Sequence, residues 1–377
     1  MTMMNIHTAL ETHQDFARDV WDRLTQKMPA SLRRAEGLSF IPYTTSGGAW
    51  QPGPVDGICW WTNGFWPAAM WQMYLHTGDA AYRAEAERAE EMLDAAFDEF
   101  DHLHHDVGFM WLISSGVNFR LTGNDQSRKR TLRAANMLAG RFNPAGFIRA
   151  WNDDKTGWAI IDCMMNLNLL YWASEFTGDP RFRKIAMAHA DTALRTFLRA
   201  DGSVEHIVCF DPETGAVADT LAGQGCARGS AWSRGQAWGL YGFTLSYLHT
   251  GKAEYLAAAR KIADFFISCV AKTGYVPLCD FRQREDDLFD SCAGAVAACG
   301  LIELARATEE EGYLEAAVRI LKALNQQCAD WSDEDPAILQ KCTGAYSSKD
   351  HHITMVYADY FFIEAIAKLS GERLRFW

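Results

Sequence analysis

Two aspartates stand beside apolar, aromatic runs, where a carboxyl group is at least partly removed from water. Asp106 follows two histidines in LHHDVGFMWL, and Asp162 separates GWAII from CMMNLNLL. Burial raises the pKa of a carboxyl group, which suits a general acid, and paired aspartates are the reacting groups of most glycosidases. The alternatives are a helix N-cap for Asp106 and a buried structural hydrogen bond for Asp162. With 14 Trp available to stack on sugar rings, the pair favours acid–base chemistry on a sugar.

The adjacent His104 and His105 also suggest a metal centre. Such a centre needs three or four ligands in a stable geometry. The side chains of adjacent histidines diverge, and the sequence contains no HExxH or similar spacing. We therefore expect no metal and no cofactor.

A second polar cluster lies in SAWSRGQAWG, residues 230–239, where Trp232, Arg234 and Trp238 alternate with small residues. The guanidinium of Arg234 is planar, always charged and able to donate two parallel hydrogen bonds, so it is a natural partner for a substrate carboxylate. The alternative is a structural salt bridge that braces the loop. His206, in SVEHIVCFDPETG, suits either a substrate contact or a structural role.

A short signal, usually Thr-Gly, recurs at residues 77, 122, 177, 250, 308 and 370 and ends six helical patterns. The stretch before each signal is apolar, as in FWPAAMWQMYL, which is typical of a buried helix. An amphipathic, charged stretch follows each of the first five signals, and another, residues 8–27, comes first in the chain. This alternation predicts an all-α fold, an (α/α)6 barrel of six inner and six outer helices, as a single domain over residues 1–377. An open solenoid is the alternative, but the unequal repeats favour closure, as does a first outer helix that can pair with the last inner one.

In such a barrel the inner helices run parallel, so the segments that lead into them meet at one face. We call these the mouth segments: 57–66, 103–111, 150–162, 225–238, 288–295 and 345–360. Each carries polar and usually aromatic residues, whereas the connections to the outer helices are short. A pit lined with Trp, Asp, Arg, Gln and His is the predicted active site, and Trp151 is expected to bind substrate there.

Charge and composition exclude several classes of partner. The formal net charge of −12 argues against nucleic acid and against anionic membranes. The N-terminal residues show no secretory pattern, and no uninterrupted apolar run reaches membrane-spanning length. The ten cysteines are scattered without a CxxC pair, which predicts a reduced, cytoplasmic protein. The oligomeric state is left open between monomer and dimer.

The motifs WTNGFW (61–66), HHDVGF (104–109), HIVCFDPETG (206–215) and SAWSRGQAWGLYGF (230–243) resemble those of the unsaturated glucuronyl hydrolases, glycoside hydrolase family 88. The resemblance covers most of the chain and implies the same (α/α)6 fold. It implies a substrate made by polysaccharide lyases, a glycosaminoglycan oligosaccharide with a 4,5-unsaturated uronic acid at its non-reducing end. It further implies release of that sugar by hydration of the double bond, in a bacterial enzyme.

Matched to the family, Asp162 takes the position of the general acid/base and Asp106 that of the second essential aspartate. The resemblance implies that Asp106 holds ring hydroxyls and keeps the pKa of Asp162 high, while His105 and His206 orient the pair. Positions on or near the family's substrate contacts are Trp61, Asn63, His105, His206, Gln224, Trp232, Arg234 and Trp238. Ser348 and Lys349 suggest the segment that favours sulfated substrates in some members, although their register leaves sulfate preference open.

Three other functions fit parts of the pattern. A hydrolase of unsaturated galacturonyl-rhamnose would share the fold and the chemistry. A sugar isomerase or epimerase would use the same barrel with histidine bases. A non-catalytic sugar-binding protein would keep the tryptophans but would not need two inward carboxylates.

Overall fold

The computed structural model describes residues 6–55, 57–372 and 376–377. Its helices, in chain order, are α1 Ile6–Glu11, α2 Gln14–Ala35, α3 Phe65–Thr77, α4 Ala80–Met92, α5 Val107–Trp111, α6 Ser115–Thr122, α7 Asp125–Gly140, α8 Cys163–Thr177, α9 Pro180–Thr196, α10 Ser233–Thr250, α11 Ala253–Val270, α12 Ser291–Thr308, α13 Glu311–Gln327 and α14 Val356–Leu369. The apolar helices α3, α5 with α6, α8, α10, α12 and α14 form an inner ring, and amphipathic helices pack around it. Helix α12 is apolar and long enough to cross a membrane, yet 83% of it is buried inside the protein.

The ring is closed, as the sequence predicts for a barrel. Each inner helix packs on the next, and α14 packs back on α3. The first outer helix, α2, completes the circle against α14: Gln14 Nε2 donates to the carbonyl of Leu369 at 2.9 Å, and Trp21 Nε1 donates to Ser370 Oγ at 3.0 Å. These contacts join the two ends of the helical repeat and exclude the open solenoid.

The recurrent Thr-Gly signal ends helices through one hydrogen-bond pattern. The Thr77 hydroxyl donates to the Met73 carbonyl at 2.7 Å and accepts from the Asp79 N–H at 3.2 Å, while Gly78 adopts a left-handed φ of 72°. Asp79 then accepts from the Ala81 N–H and begins α4. The same threonine pattern occurs at Thr122, Thr177, Thr250 and Thr308. Each signal therefore turns the chain from an inner to an outer helix.

Small antiparallel sheets, which the all-α prediction did not include, occur in the segments that lead into inner helices. They are β1 Thr44–Ser46 with β2 Ala49–Gln51, β3 Phe142–Asn143 with β4 Phe147–Ile148, and β5 Trp158–Ile160 with β6 Ile207–Phe210 and β7 Val217–Leu221. Strands this short carry too little period-2 alternation to be read from sequence. The β5–β6 pairing continues past its strands, since the Ile161 N–H donates to the His206 carbonyl at 3.1 Å. This bond brings His206 beside Asp162.

The inner helices approach closely where one of them carries glycine. A Cβ on Gly242 of α10 would lie 2.5 Å from Met164 Cβ and 2.9 Å from the Met164 carbonyl carbon, both on α8. On the other side of α10, a Cβ on Gly300 of α12 would lie 3.1 Å from Tyr241 Cα. Side chains at these positions would push apart helices whose N-terminal ends carry the mouth segments.

We therefore predict that Gly242→Ala lowers the free energy of unfolding by about 1–3 kcal/mol, because the new methyl group overpacks the contact between α8 and α10. The matched control is Gly312→Ala, on the exposed outer helix α13, where nothing lies within 4 Å of the added Cβ. There alanine should stabilise by up to about 1 kcal/mol through helix propensity. Urea unfolding of both variants measures the difference, and equal stabilities would contradict the packing described.

Candidate active site

A cavity of about 320 Å³ opens at the end of the barrel where the inner helices begin. Its lining residues come from three of the six mouth segments, from the loop that precedes the first, and from the residue directly before the fourth: Val55, Cys59, Trp60, Trp61, His104, Asp106, Met110, Trp151, Ile160, Asp162 and Gln224. Both predicted catalytic aspartates therefore face one cavity, together with Trp61, Trp151 and Gln224. A volume of this size suits a small polar ligand.

Each aspartate is held at the start of an inner helix. Asp106 directly precedes α5 and Asp162 directly precedes α8, and neither carboxyl caps its helix by a side-chain hydrogen bond. Their side chains are only 16% and 13% exposed. The capping alternative for Asp106 is therefore absent from the geometry, and both carboxyl groups face the cavity.

Burial perturbs the two carboxyl groups in the same direction. Desolvation raises the pKa of Asp162 to about 7, against a smaller opposing effect of the Arg234 charge. Desolvation and then the negative charge of Asp162 raise the pKa of Asp106 to about 8, partly offset by Arg141 and by a hydrogen bond from Asn166. Because the two groups interact, these values belong to the pair. The raised pKa values keep the pair at least partly protonated near neutral pH.

His206 stands beside Asp162, with its Nε2 atom 3.6 Å from Asp162 Oδ1. Burial lowers the pKa of His206 to about 3, so the ring is neutral. The Gln224 N–H donates to its Nδ1 at 3.0 Å, a shorter contact than the 3.3 Å to the Ala222 carbonyl, and we assign the ring proton to Nε2 on that basis. Gly223 permits this approach: its φ is 58°, and a Cβ there would lie 2.0 Å from Nδ1.

The side chains of His105 and Asn166 approach the carboxyl group of Asp106. Nε2 of His105, a fully buried ring whose pKa burial holds well below its usual value, lies 3.3 Å from Asp106 Oδ1. The Asn166 oxygen accepts from the Phe109 N–H at 2.8 Å, which turns its amide nitrogen towards Asp106 Oδ1 at 3.4 Å. Sequence reasoning missed Asn166, although a polar residue in the apolar helix α8, one turn after Asp162, was an available signal.

Arg234 does not act as the predicted carboxylate clamp in this structure. Its guanidinium is 1% exposed, pairs with the buried Asp290, and donates to the carbonyls of Thr343 and Gly344 at 2.9 and 2.7 Å. It also lies over the ring of Trp232. The structural alternative is the one observed: Arg234 braces the final mouth segment.

Three other predicted substrate contacts lie outside the cavity. Trp238 is completely buried in the barrel, and Trp232 is 2% exposed and packs on His206 with ring centroids 4.4 Å apart. Both indoles are covered in this structure, and their predicted contacts with a sugar ring stay predictions. Asn63 is also buried, and its amide donates to the Gly57 and Ile58 carbonyls at 3.1 and 3.0 Å, which shapes the turn carrying Trp61.

Ser348 and Lys349 lie near the cavity wall without lining it. The Ser348 hydroxyl donates to the Ala345 carbonyl at 2.9 Å and accepts from the Asp350 N–H at 3.1 Å, within its own turn, while Lys349 is exposed. This turn connects to the cavity through Gln224, whose Nε2 donates to the Gly344 carbonyl at 2.6 Å. Across the part of the chain that the structure describes, no group of three or more His, Cys, Asp or Glu side chains has the arrangement of a metal site.

Comparison with known proteins agrees with this fold. Residues 21–345 match the family model described as Glycosyl Hydrolase Family 88. The unsaturated glucuronyl hydrolase of Bacillus sp. (strain GL1) is 36% identical over 84% of this chain and 88% of its own. The unsaturated chondroitin disaccharide hydrolase of Streptococcus pyogenes serotype M1 is 32% identical over 84% and 83%.

The fold is similar as well. The crystal structure of the unsaturated glucuronyl hydrolase from Bacillus sp. GL1, described as responsible for the degradation of glycosaminoglycan, superposes with a TM-score of 0.86 at 32% identity. The superposition covers 93% of this chain and 96% of that one. Fold, family model and relatives agree over most of the sequence, and the chain belongs to glycoside hydrolase family 88.

Proposed function

We propose that this protein removes the 4,5-unsaturated uronic acid from the non-reducing end of lyase-generated glycosaminoglycan oligosaccharides. The observation that carries the proposal is the pair of buried carboxyl groups, Asp106 and Asp162, which stay at least partly protonated near neutral pH in a sugar-sized cavity. The relatives that act on unsaturated glucuronyl and chondroitin substrates support the substrate class.

The proposed reaction is hydration of an enol ether. A proton is added to C4, and the positive charge that develops at C5 is shared with the ring oxygen. Water then adds to C5 and loses a proton, which gives a hemiketal. The hemiketal opens to a ketone at C5, and the resulting hemiacetal at C1 expels the remaining saccharide. One group that gives a proton and then takes one back from water completes the cycle.

Asp162 is the proposed acid and base. Its Oδ1 atom is buried and has no hydrogen-bond partner among the described residues, and desolvation outweighs the Arg234 charge and a backbone hydrogen bond, which both favour the ionised form. Asp106 differs, since the Asn166 amide points at its Oδ1. That hydrogen bond lowers the pKa of Asp106 but does not outweigh the burial and the Asp162 charge that raise it. The His206 Nε2–H would hold the Asp162 carboxylate after proton transfer.

The remaining contacts follow from the lining of the cavity. Trp61 and Trp151 present indole to the sugar ring, and Gln224 offers its side chain beside His206. Asp106 is proposed to accept hydrogen bonds from ring hydroxyls, with His105 fixing its position. Arg234 shapes the wall for the downstream sugar through the backbone of residues 343–344.

The isomerase alternative requires a histidine that takes a proton from carbon. Burial lowers the pKa of both His105 and His206 far below neutrality, which makes each a weak base. A hydrolase of unsaturated galacturonyl-rhamnose would use the same pair of carboxyl groups. Only the choice of substrate distinguishes it from the proposed function.

We also propose a bacterial, cytoplasmic enzyme that acts as one domain, monomeric or dimeric, on imported disaccharides. No disulfide joins cysteines within the described residues, which suits a reducing compartment. The relatives named above are bacterial proteins.

The first prediction is loss of the ultraviolet absorbance of the conjugated double bond when unsaturated chondroitin, hyaluronan or heparin disaccharides meet the wild-type protein. Asp162→Asn should lower kcat by on the order of 10²–10⁴-fold, the usual contribution of a general acid and base. Asp154→Asn, at an exposed aspartate of the same mouth segment, is the matched control and should keep full activity. Activity on unsaturated galacturonyl-rhamnose alone would contradict the substrate class, and equal rates for the two variants would contradict the role of Asp162.

The second prediction concerns pH. The proposed acid, Asp162, must be protonated, and burial raises its pKa to about 7. The value of kcat/KM should therefore fall about tenfold per pH unit above that point, since this ratio reports ionisation of the free enzyme. Initial rates between pH 5 and pH 10 measure it. A profile that stays flat to pH 10 would show that a buried carboxylic acid does not donate the proton.

A further inference from the structure

Arg141 follows helix α7 and makes an unusual set of contacts. Its five N–H donors are all used, and every acceptor is neutral. The Nε atom donates to the Arg149 carbonyl at 3.0 Å. The Nη1 atom donates to the Leu103 carbonyl at 3.2 Å and to Asn152 Oδ1 at 2.8 Å. The Nη2 atom donates to the carbonyls of Ala150 and Trp151 at 3.0 and 2.9 Å. Within the described residues no carboxylate lies in salt-bridge distance of this guanidinium.

These contacts join two mouth segments. Leu103 leads directly into His104, His105 and Asp106, whereas residues 150–152 form the loop that presents Trp151 to the cavity. Asn152 strengthens the connection, because its amide nitrogen donates to the carbonyls of Asp101 and Leu103 at 2.7 and 3.3 Å. The His105 N–H donates at 3.3 Å to the same Ala150 carbonyl that Arg141 contacts. The planar guanidinium of Arg141 therefore sets the position of Trp151 relative to Asp106.

The positive charge of Arg141 also acts on the catalytic pair. Burial lowers the pKa of Arg141 to about 10, and Asp106 is the carboxylate whose charge opposes that change. In return, Arg141 lowers the pKa of Asp106. The titratable groups around the Asp106 carboxyl are His104 and His105 on its own segment, Asp162 and Cys163 at the start of α8, and Arg141. The histidine His105 is neutral and Asp162 opposes ionisation, so Arg141 is the charge that favours the Asp106 carboxylate.

We propose that Arg141 is a positioning residue for the hydration reaction, which fixes the Trp151 loop against the Asp106 segment and favours the ionised form of Asp106. The inference rests on the proposed function, because it takes Trp151 and Asp106 to contact the substrate. Arg141 does not line the substrate cavity; it faces a separate cavity of about 280 Å³ on the other side of the His104 segment. It therefore acts through Asp106 and Trp151 and does not touch substrate.

Two substitutions separate the effect of the Arg141 hydrogen bonds from the effect of its positive charge. Arg141→Lys keeps the charge but cannot reach five acceptors, so KM should rise several-fold while the titration of Asp106 stays near its wild-type midpoint. Arg141→Gln keeps some hydrogen bonds but removes the charge, so the midpoint of Asp106 should rise by about one pH unit and kcat should fall about tenfold. The control is Arg149→Gln, a cation of the same loop whose side chain donates only to the Asp153 carbonyl among the described contacts.

The measurement is the ¹³C-NMR titration of the aspartate side-chain carboxyl groups, with Asp106→Asn and Asp162→Asn providing the assignments, alongside kcat and KM for unsaturated disaccharides. If the titration midpoint of Asp106 is unchanged in folded Arg141→Gln, the electrostatic role of Arg141 is overturned. If Arg141→Lys has the wild-type KM, the proposed fixing of the Trp151 loop by Arg141 is overturned. If Arg141→Gln does not fold, Arg141→Lys still tests both roles, because a shifted midpoint there also contradicts the proposal. A wild-type protein without activity would refute the proposed function instead, and the titration would still decide whether Arg141 controls Asp106.

Discussion

The carboxyl groups of Asp106 and Asp162 lie within reach of each other's charge in a cavity that excludes most water, so ionising both at once is costly. This cost keeps a proton in the site at neutral pH, where an isolated aspartate would have lost it. Asn166 and Arg141 lower the pKa of Asp106 without outweighing its burial and the charge of Asp162, while Asp162 Oδ1 has no hydrogen-bond partner among the described residues. Burial therefore makes both groups acids near neutral pH.

The barrel supplies that environment through its ring of inner helices. Parallel helices bring their preceding residues to one face, so that two residues 56 positions apart in the sequence, Asp106 and Asp162, share a cavity. The β5–β6 pairing adds His206, and Arg234 with Asp290 secures the last mouth segment. Buried glycines such as Gly242 let the helices approach closely enough to hold this geometry.

Local signals explain why the fold and the shared position of the two aspartates were predictable from sequence. Thr-Gly helix ends and uncharged apolar helices are visible in adjacent residues, and an aspartate inside an apolar run is conspicuous without a structure. The contacts of Arg234 were not predictable because its partners are remote: Asp290 is 56 residues away, and the carbonyls of Thr343 and Gly344 are 109 and 110 away. The burial of Trp232 and Trp238 was not predictable for a related reason, since composition does not say which face of an indole is covered. Arg141 carried no signal, because all its partners are backbone or amide oxygens.

The most direct test of the central claim, that Asp162 protonates carbon and not the leaving oxygen, is a change of one atom in the substrate. The wild-type protein would be given an unsaturated glucuronyl disaccharide and its analogue with sulfur in place of the glycosidic oxygen. Sulfur is a weak hydrogen-bond acceptor, so an enzyme that must protonate the leaving atom loses most of its activity on the analogue. Protonation at C4 does not involve that atom, and the account predicts kcat/KM values within about tenfold of each other, or about 1.4 kcal/mol of barrier. A sulfur analogue that stays intact while the oxygen substrate is consumed would contradict it.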